Sequence, residues 1–221
     1  MVGSPSTVRS QLRGWGAAAR LFTVKSQSPS FRAKLCSLDC EIAILAGGLS
    51  TRMGRDKARL RLGGRTLLAH VKAVARQTGL PFRVIRRDLV PRCGPLGGVY
   101  TALKCASAGA VMVLSCDMPF VLVELLARLR GRLRTPAAAV FCVTTEGAGF
   151  PFLIRRTALP VVEKQLAMRR FSLQALATKL EAGKLRPAPA RAAGLFNVNT
   201  PEDWEAARSR WRARRRKSVG L

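Results

Sequence analysis

An α/β domain of three layers, Rossmann-like, with a mostly parallel sheet is what this sequence predicts. Three observations predict it. Short apolar runs alternate with amphipathic stretches along the chain, the pattern of strands joined by crossover helices. One run, residues 111–115, is apolar without interruption, as in strands buried on both faces. The first run ends in a double glycine, Gly47-Gly48, where a strand would turn towards its helix.

In order, residues 42–46 read as a strand and 66–77 as a helix with Leu67, Leu68, Val71 and Val74 on one face. Residues 82–85 form a short strand and 96–106 a helix. After the strand at 111–115 come a helix at 121–130 and a strand at 138–143. Residues 150–154 extend again before two helical stretches, 157–169 and 172–181. A last strand is expected near 195–198, followed by a helix from Pro201. Thr200 suits the N-cap of that helix, with Pro201 at its first position and Asp203 at its third.

A chain of 221 residues, nearly half of them apolar, is long enough for one domain with a substantial core. No apolar run approaches the length of a membrane span. Six cysteines lie scattered without a Cys-x-x-Cys pair and there is one histidine, so a structural zinc site is not expected. The cysteines suit small core positions in a reducing cytoplasm. The formal charge is +27. Residues 1–40 hold six Lys/Arg and one acid, and read either as a disordered basic leader of transit type or as an upstream extension without function. Residues 208–221 hold seven Lys/Arg and no acid, and read as a basic C-terminal tail. Between them, residues 41–207 carry 26 basic against 11 acidic residues, so the folded domain is itself basic and favours phosphate-rich ligands.

The segment 42–57 is the most informative. Glycines without a Cβ let a ligand lie against the main chain, where successive N–H groups meet anionic oxygens. Arg52 and Lys57 add positive charge at the same point. A strand-to-helix connection with solvated basic residues is the plainer alternative. Walker A does not fit, because five residues separate Gly48 from Gly54 and Arg55 follows. The Gly-x-Gly-x-x-Gly fingerprint is also missing.

Residues 45–57 read Leu-Ala-Gly-Gly-Leu-Ser-Thr-Arg-Met-Gly-Arg-Asp-Lys, and this resembles the signature of the MobA-like nucleotidyltransferases, which include the molybdenum cofactor guanylyltransferases. Three further blocks extend the resemblance to residues 42–204: Gly94-Pro95-Leu96 with Gly98, Ser115-Cys116-Asp117-Met118-Pro119, and Asn197-Val198-Asn199-Thr200-Pro201-Glu202-Asp203. It implies a nucleotidyltransferase fold and transfer of GMP from GTP to the terminal phosphate of molybdenum-molybdopterin, with release of pyrophosphate. By that resemblance Leu45, Ala46 and Gly47 contact the nucleotide through the backbone, and Lys57 and Arg52 neutralise phosphate oxygens. The resemblance implies Lys57 and Asp117 as the catalytic pair.

Asp117 follows the strand at 111–115, so it opens on the same sheet edge as Gly47. A carboxylate there can hold Mg²⁺, and a helix cap before Pro119 is the competing reading. The family context favours metal. Asp88 stands where the family has an acid at the nucleotide, while a local ion pair with Arg86 or Arg87 would also explain it. Asn197 and Asn199 alternate on an extended segment and face one side, which the resemblance associates with the acceptor. Turn chemistry is the alternative for Asn197. His70 reads as an ordinary helical side chain.

The implied partners are GTP and the molybdopterin cofactor, with molybdoenzymes or cofactor-delivery proteins downstream; no membrane is expected. The rival activities are cytidylyl transfer to the same cofactor or another MobA-like transfer. From other classes stand a basic nucleic-acid-binding protein and an inactive paralogue. One Tyr and few aromatics argue against a base-stacking platform. The sequence departs from the family in one place. Between the first helix and Asp88 the family has an additional strand ending in an Asn at the guanine side, and here that strand is missing. The expectation is a base pocket short of one wall and an exposed sheet edge.

Overall fold

The structure is a computed structural model and describes residues 39–47, 59–132, 135–188 and 192–219. A six-stranded sheet forms the middle layer, in the order β4-β1-β5-β7-β6-β8. Its strands are β1 (Cys40–Leu45), β4 (Phe82–Ile85), β5 (Ala110–Ser115), β6 (Ala139–Thr144), β7 (Gly147–Arg155) and β8 (Gly183–Leu185). Two short strands, β2 (Arg61–Leu62) and β3 (Arg65–Thr66), make a separate hairpin. The helices are α1 (Leu67–Gln77), α2 (Gly94–Cys105), α3 (Val123–Gly131), α4 (Leu159–Ala167), α5 (Leu173–Lys179) and α6 (Pro201–Val219).

β1 lies parallel to β4 on one side and to β5 on the other. β7 alone runs against this direction, because a tight turn after Thr144 folds β6 back onto β7, which then pairs antiparallel with β5. The mostly parallel sheet is thus as expected.

The pleat of β1 sorts its side chains between the two outer layers. Ile42 and Ile44 pack with Leu68, Val71 and Ala75 of α1 and Leu125, Leu126 and Leu129 of α3. Ala43 and Leu45 pack on the other face with Leu96, Val99 and Leu103 of α2 and Val162 of α4. Each fully buried Ile or Leu contributes roughly 1.5–3 kcal/mol of transfer free energy, which explains why uninterrupted apolar runs become the central strands. α1 starts where Thr66 caps it, its hydroxyl accepting from the Ala69 N–H at 3.1 Å. The other end of β1 is fixed by Glu41, buried at 3% exposure. Its carboxylate takes Arg83 of β4 at 3.0 Å and the Ser107 hydroxyl at 3.0 Å.

One expectation needs correction. Residues 195–198 are no strand: a 3₁₀ turn at Ala193–Leu195 is followed by extended chain that joins no sheet. Its Val198 N–H instead donates to the Asp117 carbonyl at 2.9 Å. The sheet takes its sixth strand earlier, as β8, from residues 183–185, which the sequence pattern assigned to no element. α6 runs on through the basic stretch that begins at residue 208. α6 is held by Ala207, fully buried, and by Trp211, which meets His70 edge-on at 4.8 Å between ring centroids. His70 is buried and its Nε2 donates to the Leu62 carbonyl at 2.8 Å, so it is a structural side chain.

Only β4 lies between α1 and α2, and it forms the sheet's edge next to β1. Among the described residues no helix is long and apolar enough to cross a membrane. The readings for residues 1–38 lie outside the described residues.

Candidate active site

The carboxyl ends of β4, β1 and β5 come out on one edge. The Ala46 N–H donates to the Ile85 carbonyl at 2.8 Å and the Cys116 N–H donates to the Leu45 carbonyl at 3.0 Å, so the ladder is zipped to its last residue on both sides of β1. Gly47, Arg86 and Asp117 therefore leave the sheet side by side. At Gly47 the backbones touch: a Cβ there would stand 2.7 Å from the Arg86 carbonyl oxygen. Only glycine fits, and its exposed main chain is left open towards solvent. Leu45 is buried with its side chain against Gly98 of α2, so it can offer a ligand only its backbone. Ala46 packs on the α1 side of the sheet.

Asp88 stands against the first turn of α2. A Cβ on Gly97 would lie 3.1 Å from its Oδ2, so the pair of small residues at 97 and 98 makes room for this carboxylate. The chain around it is pinned: the Leu89 N–H donates to the Thr101 hydroxyl at 2.9 Å, and that hydroxyl donates to the Gly97 carbonyl at 2.8 Å. No ion pair with Arg86 or Arg87 forms among the described residues, which removes the simpler explanation of Asp88. Partial burial holds its carboxyl above the ordinary aspartate range.

Asp117 is part-buried in the turn between β5 and α3. It caps no helix, since α3 starts at Val123 after Leu122. The bond from Val198 lays residues 197–199 alongside it. Val198 is fully buried. The Asn197 Oδ1 is buried with no hydrogen-bond partner among the described residues, whereas Asn199 is exposed. Below, Asp203 closes a capping box. Its carboxylate accepts from the N–H groups of Asn199 and Thr200 at 2.9 and 3.0 Å, and its own N–H donates to Thr200 Oγ1 at 3.2 Å.

Of the residues singled out by sequence, the structure thus brings together Leu45, Ala46, Gly47, Asp88, Asp117, Asn197 and Asn199. Lys57 and Arg52, with Gly48, lie outside the described residues. Sequence reading missed the aromatic floor beneath residues 117 and 197. Phe120 and Phe196, 6.1 Å apart, cluster with Leu62, Leu67 and Val198 under α6. The signal was present in the Trp204, Ala207, Trp211 spacing of i, i+3, i+7, which marks a buried helix stripe. A cavity of about 500 Å³ opens elsewhere, between the β6–β7 turn and α5, and shares none of these residues.

A glycine turn and a carboxylate at neighbouring strand ends of an open parallel sheet define a class: α/β proteins that bind their ligand beyond the carboxyl ends of the strands. Within it, the chain belongs to the MobA-like NTP transferase family, whose family model, the MobA-like NTP transferase domain, matches residues 42–182. Molybdenum cofactor guanylyltransferase of Xanthomonas euvesicatoria is 36% identical over 176 residues, covering 73% of this chain and 90% of that protein. The probable molybdenum cofactor guanylyltransferase of Carboxydothermus hydrogenoformans is 30% identical, over 74% of this chain and 92% of that one. Among solved structures, molybdopterin-guanine dinucleotide biosynthesis protein A from Archaeoglobus fulgidus superposes with a TM-score of 0.64 at 20% identity. It covers 76% of this chain and 97% of its own. A 2-C-methyl-D-erythritol 4-phosphate cytidylyltransferase from Thermus thermophilus shares the fold at a TM-score of 0.57, with 19% identity over 78% and 98% of the chains. A nucleotidyltransferase role is what this membership carries.

Proposed function

We propose that this chain transfers GMP from GTP to the terminal phosphate of molybdenum-molybdopterin in the cytoplasm, releasing pyrophosphate. The names of its relatives support GTP and molybdopterin as the substrates. The single observation that carries the reading is the Val198–Asp117 bond, which sets the 197–199 segment beside the carboxylate of the nucleotide edge.

Each residue then has a task. Leu45, Ala46 and Gly47 present main chain to the nucleotide, and Asp88 faces it from beneath α2. Lys57 and Arg52 take charge from the triphosphate. Asn197 and Asn199 orient the acceptor. Phosphoryl transfer asks chiefly for alignment and neutralisation of charge, so no protein nucleophile is required. The donor set suits Mg²⁺: Asp117 offers one hard oxygen ligand, and Mg²⁺ in such sites needs only one or two carboxylates beside phosphates and water. When bound, that ion supplies positive charge to the phosphate oxygens.

The test is pyrophosphate release by purified protein with Mg²⁺, molybdopterin or its molybdenum form, and either GTP or CTP. Release with GTP and not CTP, lost in Lys57→Ala, is the expected result. Release with CTP would replace the guanylyl reading by the cytidylyl one. No release with either nucleotide would make the absent strand beside β4 the mark of an inactive paralogue.

A further inference from the structure

The basic stretch of α6 is two surfaces, not one. Arg210 and Arg214, one helical turn apart, lie on the side next to the buried Trp204, Ala207, Trp211 stripe. Their guanidinium carbons stand 4.0 Å from the centre of the Phe196 ring and 4.8 Å from that of Phe120. Arg212 and Arg216 point to the opposite side of the helix and touch neither ring. Among the described residues, Glu205 pairs with Arg208 of the basic stretch at 3.0 Å. Arg210 and Arg214 have no acidic partner among them and remain exposed.

A guanidinium held over an aromatic ring is restricted in position before any ligand arrives and keeps N–H donors available to one. The two rings that hold these side chains belong to the segments that build the site: Phe120 is three residues beyond Asp117, and Phe196 immediately precedes Asn197. Asp88 and Gly97 approach the edge from the α2 layer, whereas Phe120, Phe196 and α6 join Leu67 of α1 on the other. An in-line displacement needs its two phosphate-bearing reactants to meet from opposite directions. With the nucleotide on the α2 side, the nucleophile comes from the α6 side.

We infer that Arg210 and Arg214 are an acceptor-binding pair, which recognises the terminal phosphomonoester of the acceptor substrate and orients it towards the Asp117 edge. This rests on the reading of the site as a transferase whose acceptor is a phosphomonoester. Arg suits the task because its planar fork meets two phosphate oxygens at once.

Direct binding separates the two claims. Metal-free molybdopterin is titrated calorimetrically into the wild type, the double variant R210Q/R214Q and the control R212Q/R216Q, which removes the same charge from the far side of α6. The expected result is a loss of tenfold or more in acceptor affinity in R210Q/R214Q and less than twofold in the control. R210K/R214K, which keeps charge and loses the planar fork, should recover less than half of the loss. The Lys variant also covers the case in which the Gln variant undocks α6, which its melting curve reports. Equal weakening in both Gln variants would reduce the effect to net charge and overturn the inference. So would unchanged affinity, absence of acceptor binding by the wild type, or a selective loss of RNA binding with acceptor binding intact. Acceptor binding without pyrophosphate release would defeat the transferase reading alone.

Discussion

Gly47→Ala tests how closely the glycine turn and the β4 exit depend on each other. The added Cβ would lie 2.7 Å from the Arg86 carbonyl oxygen and 3.0 Å from its carbon, where ordinary contact begins at 3.4 Å. The obstacle is backbone, held by the Ala46–Ile85 hydrogen bond one residue earlier, so no side chain can swing aside. Either β1 or the 86–88 segment must move by about 0.7 Å. Overpacking of this kind costs about 1–3 kcal/mol, which for a chain of this size lowers Tm by about 2–12 °C. The moving segment carries Asp88, and misplacement approaching 1 Å at a reacting site costs on the order of tenfold to a hundredfold in kcat/KM. Thermal melts followed by circular dichroism and pyrophosphate release measure the two effects. Gly131→Ala, at a helical position with nothing within 4 Å of the added carbon, is the control and should leave Tm unchanged or raise it. A Gly47→Ala protein with native Tm and activity within twofold of wild type would refute the close-approach argument.

The remaining predictions concern charge, packing and thiol chemistry. Burial raises the Asp88 carboxyl above its ordinary value, so the stability linked to it is fully present below the unfolded-state pKa and is lost as pH rises through the folded-state value. Asp88→Asn should therefore melt higher than wild type at pH 7, with the gap closing on acidification towards pH 3.8, while nucleotide binding weakens. Melting curves across that range check the sign. Trp211→Ala removes the ring that docks α6 on His70 and should cost about 2–4 kcal/mol in denaturant titration, below the full cost of a buried Trp because the ring is partly exposed. Burial pushes the thiols of Cys40 and Cys142 up to about 11 and about 12, whereas Cys105 is exposed. Alkylation at pH 8 followed by mass spectrometry should label Cys105 in the native protein and Cys40 and Cys142 only after unfolding.

Strands and helices with strong local signatures were legible in sequence. β4 falls on residues 82–85 as read, and β1, α1 and β5 lie within one or two residues of their expected ends, because their apolar periodicity is the periodicity of burial. The capping box at Thr200 and Asp203 was legible for the same reason, being a contact over three residues. β8 was not, since three residues of mixed polarity become a strand only when β6 is there to pair with them. The supposed strand at 195–198 failed conversely: Phe196 and Val198 cluster with Phe120 and α6, and the Val198 N–H pairs with Asp117 instead of a sheet.

What the sequence determined by itself was a glycine turn at the end of the first strand, a carboxylate on the same sheet edge, and a single short strand between the first two helices, all matters of residue type and chain order. Only the tertiary structure decided that Asp88 is free of Arg86 and Arg87, that residues 197–199 lie against Asp117, and that the basic stretch presents two of its arginines on aromatic rings beside that point. These are contacts between residues far apart in sequence. Their formation depends on which faces the packed layers bury, and that is a property of the assembled fold rather than of any local stretch.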